Sequence, residues 1–378
     1  MSAKKESPAD QYNQTGDNII SYDKDNNFIF LLGNDLKDNL LQNEANSTIG
    51  VFDIKSANKW MEQAALRPIP KMLFSEFWYE GELCILFADT NVGKSILAVQ
   101  IGNSITKGIA IPGFKLESEA QKILYFDFEL TDKQFQGRYS KNYIHSYHFS
   151  ENFLRVEIDV DAELPDGISF EDYLNNSIEQ AIIETEAKIL IIDNITYLKH
   201  ENEKAKDALP LMKHLKKLKN KYNLSLLILA HTPKRDLSKQ LTRNDLQGSK
   251  MLMNFCDSSF AIGESFSDKS LRYIKMIKVR SCEHIYDAEN VIVCQINKPS
   301  NFLQFEFLNF DNEAKHLKVI TDKDRQKLES EIQQCINEDQ NATAYSIAKK
   351  LCPQDRDFNS FKVTVSRIVK RLKENGNP

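Results

Sequence analysis

Residues 83–105 read LCILFADTNVGKSILAVQIGNSI, an apolar run, a short polar loop and a second apolar run. The first run, LCILFA, predicts a buried β-strand, and ILAVQIGNSI predicts a helix. Between them, ADTNVGKS has the spacing of a phosphate-binding loop, with Ala88 where the motif has its first glycine. Backbone N–H groups of such a loop and the N-terminus of the following helix bind phosphates. The stretch therefore predicts a unit that binds a nucleoside triphosphate.

The chemistry of this loop assigns roles to its side chains. Lys94 is expected to reach the β- and γ-phosphates, and the Ser95 hydroxyl to bind Mg²⁺. A chance GKS in a strand-to-helix turn is the alternative. The predicted ATP-binding residues of the loop are Asp89, Thr90, Asn91, Val92, Gly93, Lys94, Ser95 and Ile96.

Further β-rich runs alternate with helical stretches around this loop. Near-continuous apolar strands separated by helical crossovers are typical of a parallel sheet that is buried on both faces, which places the chain in the α/β class. These runs are 82–88, 122–129, 188–194, 225–231, 258–264 and 272–279.

Composition divides the 378 residues into three parts. Residues 1–54 are polar and predict a largely disordered N-terminal arm. Residues 55–315 carry the α/β pattern, and residues 322–378 show helical patterns without a strand run, which predicts a small all-α domain.

Overall composition excludes several protein classes. A chain that is 41% hydrophobic is not wholly disordered. Its apolar runs fall short of the roughly 18 residues of a membrane span. The start lacks the apolar region of a secretory signal, and the cysteines are scattered, so we expect a cytoplasmic protein without a membrane partner. A net charge of −5 does not exclude a local basic surface.

Two acidic residues follow strands beside the phosphate loop. Asp193 ends the run KILIIDN, where a carboxylate can hold the Mg²⁺ shell. A strand-terminating Asp-Asn turn is the alternative. Many ATPases have a glutamate directly after this aspartate, but Asn194 is present here. Glu129 ends the run ILYFDFE and is therefore the candidate that polarises water, unless it only begins a helix.

At this point the sequence resembles the RecA-like ATPases of the DnaB/RepA-type hexameric helicase branch. Those proteins carry the catalytic glutamate on this strand and an arginine nine residues later, and ELTDKQFQGR supplies Glu129 and Arg138. The resemblance implies a RecA-like P-loop fold and Arg138 in the ATP site. It also implies that His231, at the end of SLLILAH, senses the γ-phosphate, although a histidine there could be structural.

The resemblance also implies contacts to single-stranded DNA and to neighbouring subunits. A basic loop follows His231, and in the family this loop grips DNA in a central channel. Lys278 and Arg280 match a pair that completes a neighbour's ATP site, which implies a homo-oligomer, namely a hexamer. Solvated or edge-strand charges are the alternatives. The predicted DNA-binding residues of the loop are Lys234, Arg235, Lys239, Arg243 and Lys250.

The C-terminal part resembles a helix-turn-helix module of the winged-helix kind. TAYSIAKKL predicts a short helix, and NSFKVTVSRIVKRLKEN predicts a basic helix after a turn. A helical docking domain, for an initiator or another subunit, is the alternative. Its predicted DNA-binding residues are Lys362, Arg367, Lys370 and Arg371.

Together these patterns predict a ring-forming DNA helicase or translocase of RepA type that hydrolyses ATP with Mg²⁺. It would serve replication of a plasmid or mobile element, with an initiator or primase as a possible partner. Two alternatives stay open. One is a RecA-like DNA-binding ATPase that acts in regulation or recombination without unwinding. The other is a non-enzymatic adaptor whose loop only binds nucleotide.

Overall fold

A computed structural model describes the chain as two compact units, residues 1–69 and 70–378. The three-part division predicted from the sequence stays a prediction, because these units divide only at 69/70. The described residues are 18–22, 28–32, 47–159, 161–194, 208–233, 235–246, 249–319, 322–353 and 358–375.

The described residues of the first unit form two hairpins and one helix. Strand β1 (Asn18–Tyr22) pairs antiparallel with β2 (Phe28–Leu32), and β3 (Ser47–Ile49) pairs with β4 (Phe52–Ile54). Helix α1 (Ala57–Ala65) begins after Ser56, whose side chain accepts a hydrogen bond from the Lys59 backbone. Most of residues 1–54 lie outside the described residues, so the largely disordered arm predicted for them stays a prediction.

The second unit is built around a nine-stranded sheet with the order β11-β8-β12-β13-β7-β14-β15-β16-β17. Neighbouring strands from β11 to β14 are parallel, and those from β14 to β17 are antiparallel. The strands of this unit are β5 (Met72–Phe74), β6 (Trp78–Tyr79), β7 (Leu83–Ala88), β8 (Ile123–Asp127), β9 (Ser140–Lys141), β10 (His145–Ser146), β11 (Phe153–Val156), β12 (Ile189–Asp193), β13 (Ser225–His231), β14 (Ser258–Glu264), β15 (Leu271–Lys278), β16 (Val291–Asn297) and β17 (Gln304–Asp311).

Helices cover both faces of this sheet. Every residue of β7, β8 and β12 is buried, as expected for strands with apolar neighbours on both sides. The predicted α/β class with a mostly parallel central sheet is confirmed. The α-helices described between β7 and β14 are α2 (Lys94–Lys107), α3 (Asp132–Arg138), α4 (Phe170–Thr185), α5 (Ala208–Tyr222) and α6 (Ser249–Phe255).

The strand register positions the site. Asp193 at the end of β12 lies opposite Asp127 of β8, and His231 at the end of β13 lies opposite Ala88 of β7. Because parallel strands end at the same edge of the sheet, the phosphate loop and the acidic strand ends meet there.

Three helices follow the sheet: α7 (Asp322–Glu338), α8 (Ala344–Leu351) and α9 (Phe358–Asn375). They enclose their own apolar core, and Thr343 and Ser346 form a capping box at the start of α8. The predicted helices are therefore present, and the helix-turn-helix function stays a prediction. The residues at the centre of this core are Ile332, Ile347, Ala348, Phe361, Val365 and Val369.

Along the described ranges, every helix is too short or too polar to cross a bilayer.

Candidate functional site

The phosphate loop joins β7 to α2 and opens onto a cavity at the carboxyl edge of the sheet. Gly93 is the N-cap residue of α2 and has a φ of 110°, a backbone conformation that residues with a side chain rarely adopt. The Lys94 ammonium donates to the carbonyls of Ala88 at 3.0 Å and Asp89 at 2.9 Å. Lys94 is thus folded back over the loop, where its charge faces the space that the loop encloses.

The cavity has a volume of about 390 Å³ and brings the predicted nucleotide residues together. Two loop residues, Asp89 and Val92, instead line a smaller neighbouring cavity of about 100 Å³ that also contacts Arg235. The roles of all these residues stay predictions. The residues that line the larger cavity are Thr90, Asn91, Gly93, Lys94, Ser95, Ile96, Glu129, Arg138 and His231.

A chain of polar contacts joins the phosphate loop to Glu129. The His231 ring places Nδ1 at 3.2 Å from Lys94 Nζ and Nε2 at 3.4 Å from Glu129 Oε1. The Asn194 amide nitrogen donates to the same carboxylate oxygen and lies 2.6 Å from His231 Nε2. Hydrogen bonds from His231 and Asn194 lower the pKa of Glu129. Glu129 is therefore ionised at neutral pH, as a base that accepts a proton from water must be.

Burial acts differently on the other charged groups of the site. Desolvation lowers the pKa of Lys94, and the carboxylates of Asp193 and Glu129 oppose this effect. Desolvation raises the pKa of Asp193 to about 6, while hydrogen bonds from Tyr125 and Ser95 favour its ionised form. Buried groups of opposite sign thus share this edge of the sheet.

Asp193 and Ser95 fit a magnesium ion. Asp193 is fully buried, and its Oδ2 accepts a hydrogen bond of 2.6 Å from the Tyr125 hydroxyl. Its Oδ1 is also buried and has no hydrogen-bond partner within the described part of the chain. Hydroxyl and carboxylate oxygens are the ligands that Mg²⁺ prefers. The unpartnered Oδ1 atom is therefore suited to Mg²⁺, directly or through water.

Asp127 and Arg155 hold the turn that carries Glu129, and the sequence did not reveal them. Asp127 Oδ1 accepts hydrogen bonds from the backbone N–H groups of Glu129 and Leu130, and its Oδ2 accepts one of 2.9 Å from Arg155 Nε. Arg155 also donates to the Leu130 carbonyl at 2.7 Å. The spacing of Asp127 two residues before Glu129 is the signal of such a turn, whereas Arg155 lies on another strand.

Lys278 and Arg280 do not line the nucleotide cavity of their own chain. Lys278 Nζ donates to the carbonyls of Met253 and Cys256, and Arg280 Nη1 lies 3.1 Å from Asp257 Oδ1. Their predicted role toward a neighbouring subunit stays a prediction.

The loop after His231 is anchored at its centre. Leu241 is buried, and both of its backbone polar groups are bonded: its N–H to Glu313 at 2.7 Å and its carbonyl to Lys275 at 2.9 Å. Lys275 and Glu313 form a buried ion pair at 2.5 Å. The midpoint of this loop is therefore tied to β15 and to the turn that contains Glu313.

The predicted DNA-binding cations of the loop differ in their surroundings. Arg235 is half-buried and donates to the Lys239 carbonyl at 3.0 Å, whereas Lys239 and Arg243 are exposed. Lys234 and the side chain of Lys250 lie outside the described residues.

The predicted DNA-binding cations of α9 differ in their contacts. Lys362 Nζ lies 5.8 Å from the centre of the Tyr345 ring, and Arg371 pairs with Glu329. Arg367 and Lys370 are exposed.

Comparison with known proteins adds one sequence match to this geometry. Residues 54–236 match the AAA domain family. The match spans the phosphate loop, Glu129, Asp193 and His231, and it supports a RecA-like P-loop ATPase. It does not address the helicase branch or the helix-turn-helix module.

The comparisons with solved structures and with curated proteins add no support for a function. A solved KaiC-like protein from the hyperthermophilic archaeon Pyrococcus horikoshii OT3 aligns at 13% identity, over 61% of this chain and 91% of that chain, with a TM-score of 0.43. The comparison with curated proteins found no match.

Proposed function

We propose that this P-loop ATPase is a ring-forming DNA helicase or translocase of RepA type, acting in replication of a plasmid or mobile element. The observation that carries the proposal is the contact chain from Lys94 through His231 to Glu129, with the anchored basic loop following His231 directly. One histidine contacts both the group expected to hold the terminal phosphate and the expected base. It also begins the segment expected to hold DNA.

The reaction follows from these positions. Backbone N–H groups of the loop and the Lys94 ammonium bind the phosphates of ATP. Mg²⁺, when bound by Ser95 and Asp193, neutralises charge on the phosphate oxygens. Glu129 orients a water molecule and accepts its proton as the water oxygen attacks the γ-phosphorus. The bond from that phosphorus to the β–γ bridging oxygen breaks, and ADP and phosphate leave.

Loss of the γ-phosphate changes the surroundings of His231. With phosphate present, Lys94 has an anionic partner; without it, Lys94 returns to His231 and the loop carbonyls. Because Thr232 and the basic loop follow His231, we expect this change to alter the grip on single-stranded DNA. Lys278 and Arg280 of a neighbouring subunit would stabilise charge on the γ-phosphoryl group, so full activity would need the ring, with six subunits expected.

The test measures ATP hydrolysis with and without single-stranded DNA, together with the solution mass of the complex. We expect DNA-stimulated hydrolysis by a hexamer, and a loss of about 100-fold or more in Glu129→Gln with nucleotide binding retained. Displacement of a strand from a forked duplex would then establish unwinding.

Other results would lead to different functions. DNA-stimulated hydrolysis by a hexamer that never displaces a strand would assign the chain to the alternative, a DNA-binding ATPase in regulation or recombination. Nucleotide binding without hydrolysis would indicate an adaptor. A protein that stays monomeric with ATP and DNA would exclude the contribution of Lys278 and Arg280 from a neighbour.

A further inference from the structure

Helix α3 carries Arg138 into the nucleotide cavity, and a capping box at its start and the packing of Phe135 against Tyr139 and Phe149 hold its first part. The helix is only seven residues long and contains no buried residue. Arg138 is its last residue, and its Nη1 atom is buried without a hydrogen-bond partner in the described part of the chain. A buried guanidinium nitrogen without a partner is costly unless an anion binds it.

Lys298 fastens the end of this helix. Its ammonium donates to the carbonyl of Gly137 at 2.7 Å and to that of Ser140 at 2.5 Å, one on each side of Arg138. The backbone N–H of Leu303 donates to the Arg138 carbonyl at 3.2 Å. The last carbonyls of a helix lack partners within the helix, and a cation there also interacts favourably with the helix dipole. The loop between β16 and β17 therefore fixes the three carbonyls around Arg138.

The same hairpin also supports the phosphate loop. A Cβ atom at Gly93 would lie 2.8 Å from Ile296 on β16 and 2.9 Å from Phe305 on β17. The Gln100 side chain on α2 forms two hydrogen bonds with the Phe305 backbone, at 2.8 and 2.9 Å. One element thus sets the position of the phosphate loop and that of α3, so the distance between Lys94 and Arg138 depends on this hairpin.

We propose that Lys298 is a positioning residue that holds Arg138 toward the terminal phosphate of a bound nucleoside triphosphate. The inference rests on the proposed nucleotide function of the cavity and adds the basis of its preference for a triphosphate over a diphosphate. Arg138 shares the cavity with Glu129 and His231, the two groups assigned to the γ-phosphate end. A guanidinium that meets the terminal phosphate contributes to ATP binding and little to ADP binding.

The test compares binding of ADP and of a non-hydrolysable ATP analogue, with Mg²⁺, in four variants. Lys298→Met and Arg138→Ala are each expected to weaken binding of the ATP analogue about tenfold and that of ADP by less than about twofold. The double variant should bind like Arg138→Ala alone, because Lys298 acts through Arg138. Lys133→Met is the matched control: Lys133 is an exposed lysine of the same helix that contacts the Gln136 side chain. It should bind both nucleotides like the wild type.

Several results separate the possible failures. Equal losses for the two nucleotides, or losses that add in the double variant, would overturn the role of Lys298. Failure of the wild type to bind either nucleotide would refute the proposed function itself. If Lys298→Met does not fold, Lys298→Arg provides the test. This variant keeps a cation that can reach the carbonyls, so it should restore the ATP preference to within about threefold, and loss of that preference would refute the role.

Discussion

Removal of the Tyr125 hydroxyl should weaken magnesium binding in a way that depends on pH. Its bond to Asp193 Oδ2 is 2.6 Å long, and both groups are buried. A hydrogen bond of this kind favours the ionised carboxylate over the protonated one by about 1 kcal/mol or slightly more. In Tyr125→Phe the pKa of Asp193 should therefore rise by about one unit from its value of about 6.

The magnitude of the effect follows from this shift. At pH 6 about half of the wild-type Asp193 is ionised, and about a tenth in the variant, so Mg²⁺ affinity should fall about fivefold. At pH 8 nearly all of it is ionised in both proteins, and the difference should be below about 1.3-fold. Calorimetric titration of Mg²⁺ into the complex with a non-hydrolysable ATP analogue measures the Mg²⁺ affinity at each pH. Protonation of the nucleotide affects both proteins equally, so it cancels in the ratio of the variant's affinity to that of the wild type.

Tyr139→Phe is the matched control for this experiment. The Tyr139 hydroxyl is buried and has no hydrogen-bond partner within the described ranges. Its removal therefore deletes a tyrosine hydroxyl, as in Tyr125→Phe, without breaking a hydrogen bond. Mg²⁺ affinity should be unchanged at both pH values. A ratio for Tyr125→Phe that is the same at pH 6 and pH 8, or a Tyr139→Phe variant that behaves identically, would refute the reasoning.

The same pKa also predicts the stability of the metal-free protein. Its folded value of about 6 lies above the unfolded value of about 3.9. Protonated Asp193 therefore contributes stability that is complete below about pH 4 and is lost as the pH rises through about 6, up to about 3 kcal/mol. Chemical denaturation in a chelator should show this decline in the wild type and not in Asp193→Asn. In Tyr125→Phe the decline should extend to about pH 7.

Two further substitutions test the loop supports. Gly93→Ala places a methyl group against Ile296 and Phe305 at a backbone φ of 110°. Nucleotide binding, measured by fluorescence anisotropy, should therefore fall at least about tenfold. Binding like that of the wild type would contradict the support of the phosphate loop by the β16–β17 hairpin. Glu313→Gln leaves Lys275 buried without a charged partner and should lower the free energy of unfolding by about 3 kcal/mol or more. The control is Glu306→Gln at an exposed position, which should change the free energy of unfolding by less than about 0.5 kcal/mol. Equal effects of the two substitutions would contradict the anchoring of Leu241.

The sequence predicted the part of the site that strand ends determine. Glu129, Asp193 and His231 each follow a run of apolar residues, and the carboxyl ends of parallel strands meet at one edge. The sequence alone could therefore predict that these three residues lie near Lys94, without knowledge of side-chain geometry. The parallel order of the central strands also followed from their continuous apolar character.

The supports of the site could not be predicted, because each depends on contacts between distant strands. Tyr125 lies in a buried strand and looks like any core aromatic residue until Asp193 is placed opposite the end of its strand. Lys298 contacts carbonyls about 160 residues earlier in the chain, a pairing that no local pattern encodes. The anchoring of the basic loop could not be predicted either, because charged residues dominate its composition. Leu241 and Leu246 are buried in this loop, and the backbone hydrogen bonds of Leu241 to Glu313 and Lys275 anchor it.

Support of the phosphate loop by the β16–β17 hairpin has a consequence for the order of folding. Gln100 finds its backbone partner at Phe305, which is 205 residues later. During synthesis the strand, loop and helix of residues 83–107 emerge long before this hairpin exists. Contacts of such high sequence separation form late, after the intervening strands have paired. Nucleotide binding should therefore report the completion of the sheet, and a nascent chain that ends before β17 should carry the phosphate-loop sequence without the ability to bind ATP.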